Sequence, residues 1–393
     1  MTQPNAFAIR AKTIIPLIRE QAARGKDLYT KLPRIDNGVV LVMNGRVADI
    51  GKASQVAIPQ GWECQEVDGT LIPGVINCHT HLELVHCANK TRSGQGFSAW
   101  LQSLIDQKPR SMPEDANYVK NLSQEIADLV AQGTAFVGSI LTPNPSLLVL
   151  VPDIARCKGL GLHVFAECFG FGNSLPPLPP PEHQASLAGH SLYSTNLTLL
   201  QRAALYCQQH KAPFSLHLAE SLDEEAMLAH GQGPLLDIFQ RTILPKNWVP
   251  PFQRPLALAK ALGLLTSNLL AVHCVHLTDA EIQVLGAHRC AVCLCPRSNA
   301  YIGVGEANVR ALLKEQVLVC LGTDGLSSNT DLNVINEALY LKERYDIPND
   351  ALIRMLTVNA SQALHCPKGY ASLGTGARAV FCKLPHALTD HSY

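Results

Sequence analysis

The 393-residue sequence has no excess of charge of either sign: Lys+Arg and Asp+Glu both number 32. That balance removes the electrostatic reason to expect nucleic acid or an anionic membrane surface as a partner. No apolar run is long enough to span a bilayer. The first eleven residues lack the charged-then-apolar order of a secretory leader, so the expected location is cytoplasmic and the expected partner a small molecule. No internal repeat appears beyond an alternation of short apolar runs with amphipathic stretches. A paired disulfide framework is also missing. The 13 cysteines are odd in number and scattered, and many lie in apolar runs (Cys274, Cys290, Cys293, Cys320), which suits buried reduced thiols.

What is present is apolar content enough for a large core, 47% hydrophobic against 16% charged. Between residues 7 and 70 short apolar runs (7–15, 39–43, 47–50) are broken by Asp36-Asn37-Gly38 and Asn44-Gly45-Arg46. Asn-Gly signals of this kind suit tight hairpins, so a small β domain is expected. From residue 71 the pattern changes. Apolar runs at 71–76, 134–140, 162–168, 185–189, 214–218, 269–272, 290–295 and 317–322 read as eight strands, with helical periodicity in segments such as 117–132 and 332–344. Eight strands alternating with helices predict a (β/α)8 barrel with its site at the C-terminal strand ends; an open doubly wound sheet is the alternative. Residues 222–267 read as an insertion, and Leu175 to Pro181 as an extended loop. After about residue 366 short apolar runs return, and the tail is expected to rejoin the β domain. The predicted division is therefore 1–70 with 366–393 as a small β-sandwich domain, and 71–365 as the barrel.

Polar residues close several of these runs. His79 and His81, spaced i, i+2, can face one point from a strand. His217 ends the fifth run, His273 the sixth and Asp324 the eighth. Singly, Asp324 reads as a helix cap and His273 as a satisfied core histidine. Together, strand ends of one barrel converge, and imidazoles with a carboxylate form a site suited to Zn²⁺ or Fe²⁺.

This ordered set resembles the amidohydrolase superfamily, in its deaminase and chlorohydrolase branch. The resemblance runs from Asn44-Gly45-Arg46 through Pro73 to His81, His217 to Glu220, His273 and Cys295-Pro296-Arg297-Ser298-Asn299 to Gly322–Asn329. It implies that His79, His81, His217 and Asp324 hold one divalent transition metal, Zn or Fe(II). It also implies that His273 contacts water or substrate, that Glu220 shuttles protons, and that Asp324 takes the water proton. No lysine ends the fourth strand, where His190 lies, so a single-metal site is implied. Such an ion lowers the pKa of its water from about 15.7 to about 7. At about 1.36 kcal/mol per unit, that takes on the order of 12 kcal/mol off the cost of hydroxide. The implied reaction is attack on a ring carbon bearing an amino group, with loss of ammonia.

For substrate contacts the candidates are Glu83, His190, Trp100, Arg92 and Ser298, with Arg297 a further anion contact. Glu83 serves equally as a carboxylate at a helix start, Trp100 as helix core, and the arginines as solvated charges. His190 stands in a segment lacking two prolines that relatives carry. The His79-Thr80-His81-Leu82-Glu83, Cys295 to Asn299 and Gly322 to Asn329 segments are most similar to aminofutalosine deaminases, which act on an adenine nucleoside in a menaquinone pathway. The expected activity is hydrolytic deamination of such a nucleoside, for example 6-amino-6-deoxyfutalosine. Guanine, cytosine, triazine or imine hydrolysis, chlorohydrolase chemistry and a non-enzymatic scaffold are the alternatives. Relatives often form dimers, which admits a homodimer, although no interface signal is visible.

Overall fold

The computed structural model describes residues 6–18, 23–107 and 113–389. Four strands come first: β1 (Ala6–Ile14), β2 (Ile35–Met43), β3 (Arg46–Lys52) and β4 (Glu63–Pro73). β1 pairs antiparallel with β2 and parallel with β4, and β2 pairs antiparallel with β3. The β2–β3 hairpin turns at Asn44 and Gly45, both at positive φ (53° and 71°), as a two-residue turn of matching twist requires. The second predicted break, Asp36-Asn37-Gly38, lies inside β2 instead. A Cβ on Gly38 would stand 2.5 Å from Ile14 Cδ1, so this glycine serves close packing against β1.

The barrel strands follow: β5 (Val75–Thr80), β6 (Thr134–Leu141), β7 (Gly161–Cys168), β8 (Gln184–Gly189), β9 (Phe214–Leu218), β10 (Leu269–His273), β11 (Ala291–Leu294) and β12 (Leu318–Leu321). Neighbours in sequence are neighbours in the sheet, all parallel. Every residue of β6, β9, β10, β11 and β12 is buried, and strands covered on both faces read as unbroken apolar runs. The barrel closes where Thr80 bridges Asp324 and the N–H groups of Thr323 and Asp324 both donate to His79 O, at 3.0 and 3.1 Å.

The run at 71–76, expected as one strand, is shared by two sheets. Residues through Pro73 belong to β4, and β5 begins at Val75. Gly74 makes the crossing feasible, since a Cβ there would sit 2.7 Å from both Ala135 Cβ and Val380 Cγ1. A last strand, β13 (Phe381–Lys383), pairs antiparallel with β4 and completes the five-stranded sheet β13-β4-β1-β2-β3. Among the described residues this sheet is the small β domain, with separate small apolar clusters around Val40 and Val39. The insertion between β9 and β10 carries three short helices, Leu222–His230, Pro234–Thr242 and Pro255–Ala261.

Across the N-terminal end of the barrel runs a strap of residues 23–34. Asn359 accepts from Ala23 N (2.8 Å) and donates to Ala23 O (3.1 Å) and Val319 O (3.0 Å). Arg354, 2% exposed, donates to Thr30 O at 2.6 Å, and Asp350 accepts from Leu32 N at 2.8 Å.

Candidate active site

At the opposite end, strand ends bring the predicted cluster together. His79 Nε2 lies 3.2 Å from His217 Nε2 and 3.6 Å from Asp324 Oδ1, and His81 Nε2 lies 3.4 Å from the same oxygen. The backbone bends to aim these groups: His273, Cys274 and Asp324, with Ala219 beside Glu220, hold positive φ between 51° and 71°. Non-glycine residues in that region are strained, and strain gathers where function requires it. His79 is the penultimate residue of β5, and His81 directly follows its end.

Neighbours settle the chemical form of several groups. His217 Nδ1 donates to His190 O at 2.7 Å, which leaves its Nε2 lone pair facing the cluster. His273 Nδ1 donates to Asn299 Oδ1 at 2.9 Å, so Nε2 faces Glu220 Oε1, 3.6 Å away. Burial pushes the imidazoles down, His79 and His273 to about 4 and His81 to about 3, which keeps them neutral and able to ligate. Burial opposes ionisation of Asp324, yet the His79 hydrogen bond and the nearby His81 and His273 hold its carboxyl well below the usual range. Its other oxygen, Oδ2, accepts from the hydroxyls of Ser298 and Ser328, both at 2.7 Å. Glu220 goes the other way. Burial, reinforced by the charges of Asp324 and Glu224, raises it well above the carboxylate range. Its backbone N–H donates to Glu224 Oε2 at 2.8 Å.

The donor set fits a divalent transition ion. Neighbouring ligands of a tetrahedral shell with bonds of about 2.0–2.2 Å stand about 3.3–3.6 Å apart. Of the donor separations, 3.4 and 3.6 Å fall in that range and 3.2 Å just below it. Three nitrogens and a carboxylate are the ligand chemistry of zinc and iron(II). Two overlapping groups, His79–His217–His273 and His79–His81–Asp324, each bring their ligand atoms within 4.8 Å of one another.

A cavity of about 450 Å³ opens over the cluster. His81, Glu83, Trp100, His190, His217, Glu220, His273 and Asp324 line it. Glu83 is held by Thr142, whose backbone N–H and hydroxyl donate to its two oxygens at 2.8 and 2.7 Å. Trp100 donates from Nε1 to Ser327 O at 2.8 Å. Two candidate substrate contacts fall elsewhere. Ser298 is spent on Asp324, and Arg92, whose backbone N–H is tied to Ser103 Oγ, does not line the cavity. Arg297 is paired with Asp331 and lies within 3.7 Å of Glu337. The sequence reading missed Thr142, Glu167 and Tyr193 of the lining, and Ser328 behind Asp324. Glu167 lies at the end of β7, so the strand-end rule that found His217 would have found it too.

Fold and site together define a (β/α)8-barrel hydrolase with a histidine–aspartate centre at the strand ends. The amidohydrolase family model matches residues 182–390, and the chain belongs to that family. It is similar to the 5-methylthioadenosine/S-adenosylhomocysteine deaminase of Moorella thermoacetica, 26% identical over 390 residues covering 91% of this chain and 84% of that one. Among solved structures it is similar to a zinc-bound adenosine deaminase from Xanthomonas campestris (TM-score 0.74, 22% identity, 95% of this chain and 83% of that one). Helicobacter pylori aminofutalosine deaminase in complex with methylthio-coformycin is likewise similar (TM-score 0.78, 19% identity, 95% and 91%). No helix among the described residues is long and apolar enough to cross a membrane.

Proposed function

We propose that this chain is a metal-dependent deaminase that hydrolyses the amino group from the adenine ring of a nucleoside. One observation carries the reading: Glu220, buried and pushed well above the carboxylate range, stands beside His273 in the same cavity as the histidine–aspartate cluster. His79, His81, His217 and Asp324 would hold the ion, zinc or iron(II). When bound, it supplies Lewis-acid activation of water.

This chain's own groups do the rest. Asp324, fixed by Ser298 and Ser328, takes a proton from the attacking water. The water oxygen adds to the ring carbon bearing the amino group, and Glu220 donates its proton to the adjacent ring nitrogen. A carboxylic acid kept neutral near pH 7 can do this; an ordinary glutamate could not. His273 donates from neither ring nitrogen to Glu220 while Nδ1–H is engaged by Asn299, so its Nε2 is an acceptor that steadies the attacking water or a substrate hydrogen. The proton taken by Asp324 passes to the departing amino group, the adduct's hydroxyl returns a proton to the Glu220 carboxylate, and the carbon–nitrogen bond breaks to leave the ring carbonyl and ammonia. Glu83, His190 and Trp100 would orient the nucleoside from the cavity wall.

The relatives named above support the choice of an adenine nucleoside. The test is ammonia release from metal-replete protein offered adenosine, 5′-methylthioadenosine, 6-amino-6-deoxyfutalosine, guanine, cytosine and a chlorotriazine. Ammonia from adenine nucleosides is the expected result. Turnover of the chlorotriazine alone, or of nothing in the panel, would overturn the reading.

A further inference from the structure

The helix Phe97–Asp106 carries an apolar stripe at Phe97, Trp100, Leu101, Leu104 and Ile105, the i, i+3, i+4, i+7, i+8 spacing of one helical face. Such a face normally packs on a core. Here all five side chains line the catalytic cavity. Phe239, from the helix Pro234–Thr242, and Ile243 at its end line it as well. One wall of the reaction chamber is therefore an aliphatic and aromatic surface.

The carboxyl groups of the lining are those of Glu83, Glu167, Glu220 and Asp324, and its described residues include no lysine or arginine. A ligand group entering beside this wall gives up its water. An apolar group gains by the transfer. A carboxylate loses its hydration beside this wall and meets no lysine or arginine among the described lining residues, which is costly.

We propose that the nucleoside's 5′ arm is neutral and apolar, of alkylthio size, and that arms ending in a carboxylate are rejected. The inference rests on the deaminase reading and narrows it. It separates two substrates that share one relative's name. The methylthio arm satisfies the wall. The homocysteine arm of S-adenosylhomocysteine brings an ammonium, which a wall carboxylate can accept, and a carboxylate, which meets no lysine or arginine among the described lining residues. The same holds for 6-amino-6-deoxyfutalosine, whose arm ends in an aryl carboxylate.

The experiment compares kcat/KM for ammonia release from 5′-methylthioadenosine, adenosine, S-adenosylhomocysteine and 6-amino-6-deoxyfutalosine, using metal-replete full-length protein. The methylthio compound is expected to exceed adenosine by roughly tenfold and both carboxylate-ended compounds by roughly a hundredfold or more. Equal or better turnover of either carboxylate-ended compound overturns the inference and leaves the deaminase reading standing. No ammonia from any of the four overturns that reading itself. Leu104→Arg places a guanidinium on the stripe at a half-buried position. It is expected to move the selectivity ratio toward the carboxylate-ended compounds by about tenfold or more. A well-folded variant with an unchanged ratio would show that the arm does not lie along this wall.

Discussion

At the N-terminal end of the barrel Arg354, Asp350 and Asn359 are as buried (2%, 8% and 0% exposed) as His273, Glu220 and Asp324 are at the mouth (1%, 6% and 5%). The two sets are used differently. Below, the side chains bond mostly to main-chain groups of the strap, so that Asn359 alone serves Ala23 N, Ala23 O and Val319 O. Above, side chains meet side chains around a cavity, on backbone bent into positive φ. His79 Nδ1 there is buried with no hydrogen-bond partner. Buried polarity that answers backbone polarity holds a fold together. Buried polarity held under strain and turned toward a cavity is available for chemistry, at some expense of stability.

The contrast can be broken by substitutions at either end. Glu220→Gln should have the largest effect. Turnover should fall by about a thousandfold, within the range of a lost general acid, while bound metal and melting temperature stay at or above wild type. Loss of metal in that variant would mean that shuttle and ligand have been exchanged in this account. Asn359→Ala should do the reverse. Leaving the backbone groups of Ala23 and Val319 unanswered should cost about 2–3 kcal/mol of unfolding free energy by denaturant titration. Its kcat per folded molecule should match wild type; a kcat loss at full stability would erase the distinction between the two ends. Ser328→Ala should be milder, because Ser298 still holds Asp324 Oδ2. A fall of about tenfold in kcat with KM little changed is expected. A change confined to KM would place Ser328 in substrate binding instead.

The same contrast explains what could be read from the sequence. Barrel strands were legible because burial on both faces leaves an unbroken apolar run, as at 134–140 inside β6 (Thr134–Leu141). His217, His273 and Asp324 were legible because each interrupts such a run at its end. The passage from β4 to β5 was not, since Leu71 to Ile76 is apolar throughout. Its marker is Gly74, and the reason for a glycine is contact with Ala135 and Val380, one of them some three hundred residues away. The strap's anchors were silent for a similar cause: Arg354 and Asn359 look like ordinary helix residues until their partners, Thr30 and Ala23, are placed. Ser298 and Arg92 were assigned to substrate because their side-chain chemistry allowed it. Which way a hydroxyl turns, here toward Asp324, depends on packing that no local pattern encodes.

The claim that the mouth is a metal-dependent hydrolytic centre is tested most directly by titrating chelated, metal-free protein with zinc or iron(II). Bound metal and ammonia release from 5′-methylthioadenosine are followed together. Activity is expected to be absent at the start and to rise in proportion to bound metal up to a single equivalent per chain. Full turnover by the metal-free protein, or activity that ignores the metal bound, would contradict it.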